Sequence, residues 1–344
     1  KEGILRQPSF QGLRTDKPAR EIVREQPQAP SIDGMSQPRH KVRQPSKQSM
    51  PARSRTHLTN PDRVLYPDLG LTKADLARYY EQVGEWILPH LRGRPLTLVR
   101  CPEGYQKCFY QKHVNERVPQ AISRVEIEED DSRATYMVAD TLDAVLGLVQ
   151  MGVLELHTWG ATRDRLDRPD RLTFDLDPDP TVPWTQVVEA ARLTRTLLEE
   201  LDLACFLKTT GGKGLHVVVP IQRSHDWDEV KAFAKAVADH MVAAIPQRFT
   251  SNMAKRVRKG KIFIDYLRNA RGATAIAAYS PRAKPGAPVS VPIAWEELST
   301  EVSSDHFTIT NVPARLKQLR RDPWKGYDDS ARRLTAGMKK RLMK

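Results

Sequence analysis

The chain has 344 residues, of which 40% are apolar and 28% charged, as is typical of a globular protein with one large or two ordinary domains. No apolar run approaches the roughly 20 residues of a membrane span, and the N-terminus lacks a signal-peptide stretch, so we expect a soluble, cytoplasmic protein. The net charge of +13 suggests a polyanionic partner, most commonly nucleic acid. Cys101, Cys108 and Cys205 match no zinc spacing and are expected to be reduced structural thiols.

The N-terminal sixth of the chain differs in composition from the rest. Residues 1–56 hold seven prolines, one aromatic residue and a net charge of +7, without a sustained hydrophobic period. Such a segment buries too little apolar surface to offset its ordering entropy. Residues 29–56 are therefore predicted to be a flexible basic linker, and the folded part is expected to begin near His57.

Hydrophobic periodicity predicts three helices. Thr72 begins the first, with Asp75 at capping-box spacing, and the others run from about 184 to 201 and from 224 to about 244. Apolar runs typical of strands occur at Leu96–Arg100, Leu154–His157, Leu172–Leu176, Leu215–Pro220, Lys261–Leu267 and Ala275–Tyr279. Because strict βαβ alternation is missing, we predict an α+β fold with mixed or antiparallel central sheets flanked by helices.

Two carboxylates end one of these predicted strands. Asp175 and Asp177 alternate with Phe174 and Leu176, so period two puts both carboxylates on one face and both apolar side chains in the core. Hard divalent cations such as Mg²⁺ or Mn²⁺ prefer oxygen ligands in this arrangement. The alternative is an Asp/Pro-rich turn that closes the strand, and Asp179 is assigned to turn chemistry alone.

A second acidic strand favours the metal interpretation. Asp265 follows the apolar run Ile262–Ile264, so its neighbours also require a core. Three carboxylates on two strands of one sheet could hold two metal ions, one activating a 3′-hydroxyl and the other neutralising a triphosphate. Asp175, Asp177 and Asp265 are therefore the candidate catalytic and metal-binding residues.

A glycine-rich segment precedes another apolar strand. In Lys-Thr-Thr-Gly-Gly-Lys-Gly-Leu-His, backbone N–H groups, the Thr210 hydroxyl and the Lys213 ammonium could approach a phosphate. The spacing is not that of a Walker loop, and a plain hairpin turn is the alternative. His216 is either a hydrogen-bonded core histidine or a residue that orients the phosphate site.

Three arginines complete the candidate triphosphate site. Arg282 follows a predicted strand and precedes a Pro/Gly turn, so its guanidinium could reach a triphosphate. Arg258 and Arg268 flank the Asp265 strand and could contribute likewise. Each could equally be a solvated surface charge.

In this order, the motifs Asp-Leu-Asp-Pro-Asp, Thr-Gly-Gly-Lys-Gly-Leu-His, Phe-Ile-Asp and Tyr-Ser-Pro-Arg-Ala-Lys-Pro-Gly resemble those of the polymerase domain of bacterial ligase D. That family belongs to the archaeo-eukaryotic primase superfamily and works with Ku in non-homologous end joining. The resemblance implies a primase-type polymerase domain over 57–335, followed by a basic tail at 336–344. Thr210 stands where the family usually has serine, which is also a hydroxyl.

The resemblance implies a site for the 5′-phosphate at the far side of a DNA gap. Asn60, Arg63 and Lys73 match the family motif, and two cations near a helix N-terminus suit an anion. A simple Asn-Pro turn with a helix cap is the alternative reading of the same residues.

Two further sites follow from the resemblance. Phe109 and Tyr110 match paired aromatic residues that stack on template DNA, an interaction worth about 1–3 kcal/mol per base. His157 matches a histidine that lines the nucleotide pocket, and Arg100 is a weaker candidate for the same pocket.

Residues 1–28 resemble the C-terminal remnant of an ATP-dependent ligase module, which implies a longer protein with a covalently linked ligase. Because no KxDG-type nucleophile motif is present in the sequence, we expect no ligase activity from this chain.

The favoured function is a polymerase that fills gaps and adds untemplated nucleotides to DNA ends. It would use NTPs or dNTPs, accept or prefer ribonucleotides, and require Mn²⁺ or Mg²⁺. A non-catalytic DNA-end-binding module that recruits Ku and ligase is the alternative, but such a module needs no acidic cluster, which repels DNA. A metal-dependent nuclease would share the carboxylates and leave the triphosphate set unexplained.

Overall fold

The computed structural model describes residues 57–114, 118–129 and 132–343. The predicted ligase remnant at 1–28 and the basic linker at 29–56 lie outside these described residues. Within the described ranges, six α-helices and fourteen strands are interspersed without strict alternation, which confirms the predicted α+β class. None of the helices in these ranges is long and apolar enough to cross a membrane.

The α-helices are α1 (Lys73–Leu91), α2 (Leu142–Gln150), α3 (Trp184–Glu200), α4 (Trp227–Ala244), α5 (Val312–Gln318) and α6 (Ala336–Leu342). The first seven strands are β1 (Val64–Tyr66), β2 (Leu71–Thr72), β3 (Leu96–Arg100), β4 (Phe109–Gln111), β5 (Ser123–Glu129), β6 (Ser132–Val138) and β7 (Val153–Trp159). The other seven are β8 (Arg171–Pro178), β9 (Phe206–Thr209), β10 (Leu215–Pro220), β11 (Phe249–Thr250), β12 (Ile262–Asp265), β13 (Thr274–Ile276) and β14 (Pro292–Ile293).

Two large sheets organise the molecule. The first has the order β11-β12-β8-β10-β9-β14, with only its β11–β12 edge parallel. The second has the order β13-β7-β3-β6-β5, and β4 also pairs with β3. Its pairs are antiparallel throughout. Helices α3 and α4 pack on the first sheet, so the apolar face of β8 is buried and its polar face remains for a site.

The predicted capping box at the start of α1 is present. The Thr72 hydroxyl accepts a hydrogen bond from the Asp75 backbone, and the Asp75 carboxylate accepts one from the Thr72 backbone. The third predicted helix begins later than expected, at Trp227, because Asp226 and not Ser224 caps it.

The expectation of three reduced thiols is wrong for two of them. Cys101 and Cys108 form a disulfide across the turn between β3 and β4, while Cys205 is free and buried. Antiparallel pairing of β3 with β4 brings the two Cα atoms within 4.2 Å, a proximity that sequence spacing alone does not reveal.

Most of the predicted basic tail at 336–344 forms helix α6. Met338 and Leu342 are buried, and the helix packs on α4, where His240 Nδ1 lies 3.1 Å from the Leu342 carbonyl. The tail is therefore ordered through Leu342.

Candidate active site

The three candidate carboxylates lie on adjacent strands of the first sheet. Asp175 on β8 pairs directly with Asp265 on β12, and Asp177 lies two residues further along the same face of β8. His216 on β10 pairs with Asp175 from the other side. Strand register therefore brings together four residues that are up to 90 positions apart in the sequence.

Two arginines form ion pairs with the carboxylates of this acidic cluster. Arg268 bridges two strands, because its Nη2 atom is 3.2 Å from Asp175 Oδ2 and its Nε atom is 3.1 Å from Asp265 Oδ2. Arg258 donates to Asp177 Oδ2 at 3.2 Å and lies over the Phe263 ring. Both arginines therefore contact the carboxylates rather than only flanking them.

The carboxylates differ in their electrostatics. Burial raises the pKa of Asp177, and the negative charge of Asp175 adds to the shift. Burial also raises the pKa of Asp265, against the opposing charge of Arg268. Although burial disfavours its ionised form, contacts with His216 and Arg268 hold the pKa of Asp175 below the ordinary value. The ionised forms of Asp177 and Asp265 are therefore energetically unfavourable, and a bound cation would stabilise them.

His216 is a buried neighbour of the acidic cluster. Its Nε2 atom is 3.4 Å from Asp175 Oδ1. Burial and the nearby charge of Lys208 lower the pKa of His216 to about 4, so the ring is neutral at pH 7. Its Nδ1 atom is buried without a hydrogen-bond partner in the described part of the chain.

The donor set fits a hard divalent cation in chemistry, although the carboxylates are not preassembled around one point. Over 57–114, 118–129 and 132–343, no three His, Cys, Asp or Glu side chains converge closely enough to hold an ion. Arg268 contacts both Asp175 and Asp265. An ion shared by these two carboxylates therefore requires the guanidinium to leave.

The glycine-rich loop lies beside Asp177. Lys213 is exposed at its tip and lowers the pKa of Asp177, against the larger effect of burial. The buried Thr210 hydroxyl donates to the Gly214 carbonyl at 2.9 Å and accepts from the Gly212 N–H, so it shapes the loop from inside. A Cβ atom placed on Gly212 would lie 3.3 Å from Arg282 Nη1, so the guanidinium directly covers this loop.

A buried carboxylate joins two of the predicted nucleotide ligands. Glu155 Oε2 is 2.8 Å from His157 Nε2 and 3.1 Å from Arg282 Nε. Arg282 also donates from Nη1 to the Thr210 carbonyl at 3.0 Å. The second sheet thereby contacts the glycine-rich loop of the first.

The structure places Asn60, Arg63 and Lys73 around the entry to α1. Asn60 has a left-handed backbone conformation and is exposed, as is Arg63, which donates to the Pro102 carbonyl. Lys73 is only 6% exposed, and its ammonium donates to the Thr59 carbonyl and to two oxygens of Gln150. Of the two cations, Arg63 is the one that solvent reaches.

Phe109 and Tyr110 are neighbours on β4, so their side chains point to opposite faces of the strand. Tyr110 is 46% exposed, whereas Phe109 is half-buried under the Arg100 guanidinium. Arg100 is buried and donates to the Met151 carbonyl.

The sequence matches the family profile described as LigD, primase-polymerase domain, over residues 72–324. The chain belongs to the LigD primase-polymerase family. All three candidate carboxylates, the glycine-rich loop and Arg282 lie within the matched range, and so do Lys73 and both aromatic residues of β4. Asn60 and Arg63 precede it.

Relatives carry the same family name. The multifunctional non-homologous end joining protein LigD of Pseudomonas aeruginosa is 42% identical over 343 residues, which are 99% of this chain and 40% of that protein. Its counterpart in Mycolicibacterium smegmatis is 34% identical over 267 residues, or 77% of this chain and 35% of that protein. The chain thus spans well under half the length of these LigD proteins.

A solved LigD structure has the same fold. The polymerase domain from Mycobacterium tuberculosis ligase D, in complex with DNA, matches with a TM-score of 0.75 and 32% sequence identity. The match covers 81% of this chain and 100% of that chain.

Sequence reasoning missed two buried charged residues of the candidate site in this LigD-family chain. Glu155 alternates with His157 on β7, so period two could have placed both side chains on one face. Lys208 on β9 donates to the Ile276 carbonyl and the Ser290 hydroxyl, both at 2.8 Å. A charged residue inside an apolar strand was the signal that could have indicated Lys208.

Proposed function

We propose that this chain is an end-processing polymerase of bacterial non-homologous end joining. It transfers nucleotides from NTPs or dNTPs to 3′-hydroxyl DNA ends, fills gaps on a template, adds untemplated nucleotides and accepts ribonucleotides. The observation that carries the proposal is the cross-strand pair Asp175–Asp265, with Asp177 and the glycine-rich loop beside it. The match to a LigD polymerase domain solved with DNA supports it.

The acidic cluster would hold Mn²⁺ or Mg²⁺ through Asp175, Asp177 and Asp265. When bound, divalent ions lower the pKa of an attacking hydroxyl and neutralise the charge of a triphosphate. Arg268 would have to move when an ion binds, because its guanidinium forms ion pairs with both Asp175 and Asp265. The guanidinium could then donate hydrogen bonds from two N–H groups to phosphate oxygens.

Cations around the glycine-rich loop would bind the nucleotide's phosphates. Lys213 is exposed at the loop, Arg282 covers it, and Arg258 contacts Asp177 beside it. Each of these cations would attract the negatively charged triphosphate and so strengthen nucleotide binding. The α-phosphate would then be held near the carboxylates. His157 would contribute from the second sheet, and neutral His216 would hold Asp175 in place.

The DNA would be held outside this cluster. Asn60 and Arg63 are the exposed candidates for the 5′-phosphate across a gap, and buried Lys73 would add positive charge beneath them. Tyr110 is the aromatic residue on β4 whose ring is open to a template base, while Phe109 would support Arg100 from the opposite face.

Two partners are proposed for this chain. Ku and a covalently linked ligase module are the proposed partners, because the LigD relatives are named as multifunctional end-joining proteins. No ligase activity is proposed for this chain alone. Because its proposed substrate is broken DNA, we also propose that the protein acts in the bacterial cytoplasm, at the nucleoid.

Nucleotide incorporation into a gapped DNA with a 5′-phosphate tests the proposed activity. We expect the wild type to extend the primer with NTPs or dNTPs in Mn²⁺ or Mg²⁺. Asp177→Asn and Asp265→Asn should each lower incorporation by at least about a hundredfold, because a lost metal ligand costs several kcal/mol of transition-state stabilisation. Thermal unfolding should show that both variants remain folded.

Asp179→Asn is the matched control. Asp179 is the next aspartate along the chain, and its carboxylate accepts from the Thr181 hydroxyl and N–H rather than joining the cluster. This variant should incorporate nucleotides like the wild type. Undiminished incorporation by Asp177→Asn would refute the polymerase assignment. DNA binding without any incorporation by the wild type would favour the non-catalytic end-binding module.

A further inference from the structure

Glu155 is the most deeply buried acidic residue near the proposed nucleotide site. It lies on β7 in the second sheet, and only 3% of its surface is exposed. Burial opposes ionisation, yet Arg282 and His157 hold the pKa of Glu155 well below its ordinary value, so the carboxylate is charged. A buried charge of this kind is tolerated only where cations and N–H groups compensate it.

The Glu155 carboxylate contacts two of the proposed nucleotide ligands and a backbone N–H group next to one of them. Oε2 is 2.8 Å from His157 Nε2 and 3.1 Å from Arg282 Nε, and Oε1 accepts from the Ala283 N–H at 2.9 Å. Because an ionised carboxylate only accepts hydrogen bonds, the proton of the contact with His157 lies on Nε2. Glu155 thereby sets both the orientation and the protonated nitrogen of that ring.

Arg282 carries the effect across to the other sheet. Its Nη1 donates to the Thr210 carbonyl, and its own backbone carbonyl accepts from the Tyr66 hydroxyl. Nε is buried and close to Glu155, although it is not aligned for a hydrogen bond. The Arg282 guanidinium is therefore held by electrostatic attraction to Glu155 on one side and by its hydrogen bond to the glycine-rich loop on the other.

We propose that Glu155 is a positioning residue, which holds Arg282 and His157 in place for the phosphates of the incoming nucleotide. Glu155 itself does not touch the nucleotide, because its negative charge is buried and would repel a triphosphate. The inference rests on the proposed polymerase function, since it assigns the phosphate ligands of that same site.

Loss of a purely structural ion pair should lower stability without changing nucleotide affinity, and Asp170 allows this comparison. Asp170 accepts two hydrogen bonds from Arg94, at 3.0 and 2.7 Å, and lies 3.3 Å from Arg171 Nε. It is also a carboxylate held between two partly or fully buried cations, but neither Arg94 nor Arg171 is a proposed ligand of the nucleotide phosphates. Asp170→Asn therefore measures what a lost buried ion pair costs without nucleotide positioning.

The test compares Glu155→Gln, Glu155→Asp and Asp170→Asn with the wild type. Titration calorimetry with ATP, thermal unfolding, and steady-state KM and kcat on gapped DNA are measured for each. Glu155→Gln keeps the shape and the acceptor for Ala283 N–H but loses the charge. We expect it to raise the Kd for ATP and the KM at least tenfold, with kcat within threefold, because phosphate binding is weakened before and during the reaction alike.

Asp170→Asn should lower the melting temperature while leaving the Kd for ATP within twofold of the wild type. Glu155→Asp keeps the charge but retracts it by one methylene, so it should fold and still raise the Kd for ATP. This second variant decides the matter if Glu155→Gln does not fold.

Wild-type affinity for ATP in a folded Glu155→Gln or Glu155→Asp protein would overturn the inference. An equal loss of affinity in Asp170→Asn would overturn it too, because the effect would then be structural. Failure of the proposed function has a separate signature, since a wild type that incorporates no nucleotide can still be titrated with ATP.

Discussion

At the residue scale, Asp177 is placed where its negative charge is poorly compensated. Its carboxylate has Arg258 at 3.2 Å, yet burial and the neighbouring Asp175 raise its pKa. A carboxyl group with a raised pKa in the folded state binds protons more tightly there than in the unfolded chain. Above both pKa values it therefore lowers the free energy of unfolding.

The metal-free Asp177→Asn protein should be more stable than the wild type at pH 7, because the substitution removes this repelling charge. As pH falls through the raised pKa towards the ordinary value of 3.8, the wild type gains its proton and the difference should shrink. Thermal unfolding of both proteins from pH 4 to pH 8, with a chelator present, measures this difference.

Mg²⁺ or Mn²⁺ should reverse the order at pH 7, because the ions stabilise only a folded state that binds them. A variant that is less stable than the metal-free wild type at pH 7 would mean that Arg258 more than compensates Asp177.

At the element scale, the candidate active site depends on close pairing of β8 with β10. Leu215 pairs with Leu176 directly after the glycine-rich loop. A Cβ atom on Gly214 would lie 1.9 Å from the Leu176 carbonyl oxygen, so only glycine allows this approach. The register that places His216 opposite Asp175 therefore follows directly after a residue that has no side chain.

Gly214→Ala should lower the free energy of unfolding by at least about 3 kcal/mol, because the clash is with backbone and one strand must move. Gly260→Ala is the control. Gly260 has a φ of +68° and nothing within 4 Å of an added Cβ, so this change should cost only about 1 kcal/mol of backbone strain. Urea unfolding of both variants measures the costs, and equal losses would contradict the close-approach argument.

At the scale of the whole molecule, the net charge of +13 contrasts with the acidic cluster at the proposed catalytic site. Basic residues on the outer surface are expected to bind DNA phosphates and release counterions, so affinity should fall as salt rises. Arg63 is exposed at the entry to α1, with its guanidinium close to the turn that joins β3 and β4. It is therefore placed to contact DNA without contributing to the core.

Arg63→Met should abolish the preference for gapped DNA with a 5′-phosphate over the same DNA with a 5′-hydroxyl. It should also reduce the slope of log K against log salt by about one, the contribution of one phosphate contact. Fluorescence anisotropy at several salt concentrations measures both. Lys73→Met should lower the free energy of unfolding, because the Lys73 ammonium makes three partly buried hydrogen bonds. Arg63→Met should leave it unchanged. An unchanged phosphate preference in Arg63→Met would exclude this site.

The elements that sequence periodicity predicted well are those with one strong local signal. Helix α1 has its capping box, and β10 has the same bounds as the predicted strand. Helix α2 was missed because Leu142–Gln150 is only nine residues long and mostly apolar, so its length and composition do not separate it from a buried strand. The hairpin of β5 and β6 was missed because charged residues occupy most of its exposed positions.

The sequence by itself determined the family, the α+β class and the residue types of the candidate site. Alternating carboxylates and glycine spacing are local patterns, so they can be recognised in the sequence without knowledge of tertiary contacts. The tertiary structure decided which of these residues meet. The Asp175–Asp265 pair, the Arg268 bridge and the Glu155 cluster join segments far apart in sequence, and their contacts depend on strand order and register. The disulfide was likewise decided by strand pairing, because pairing alone sets the distance between two cysteines.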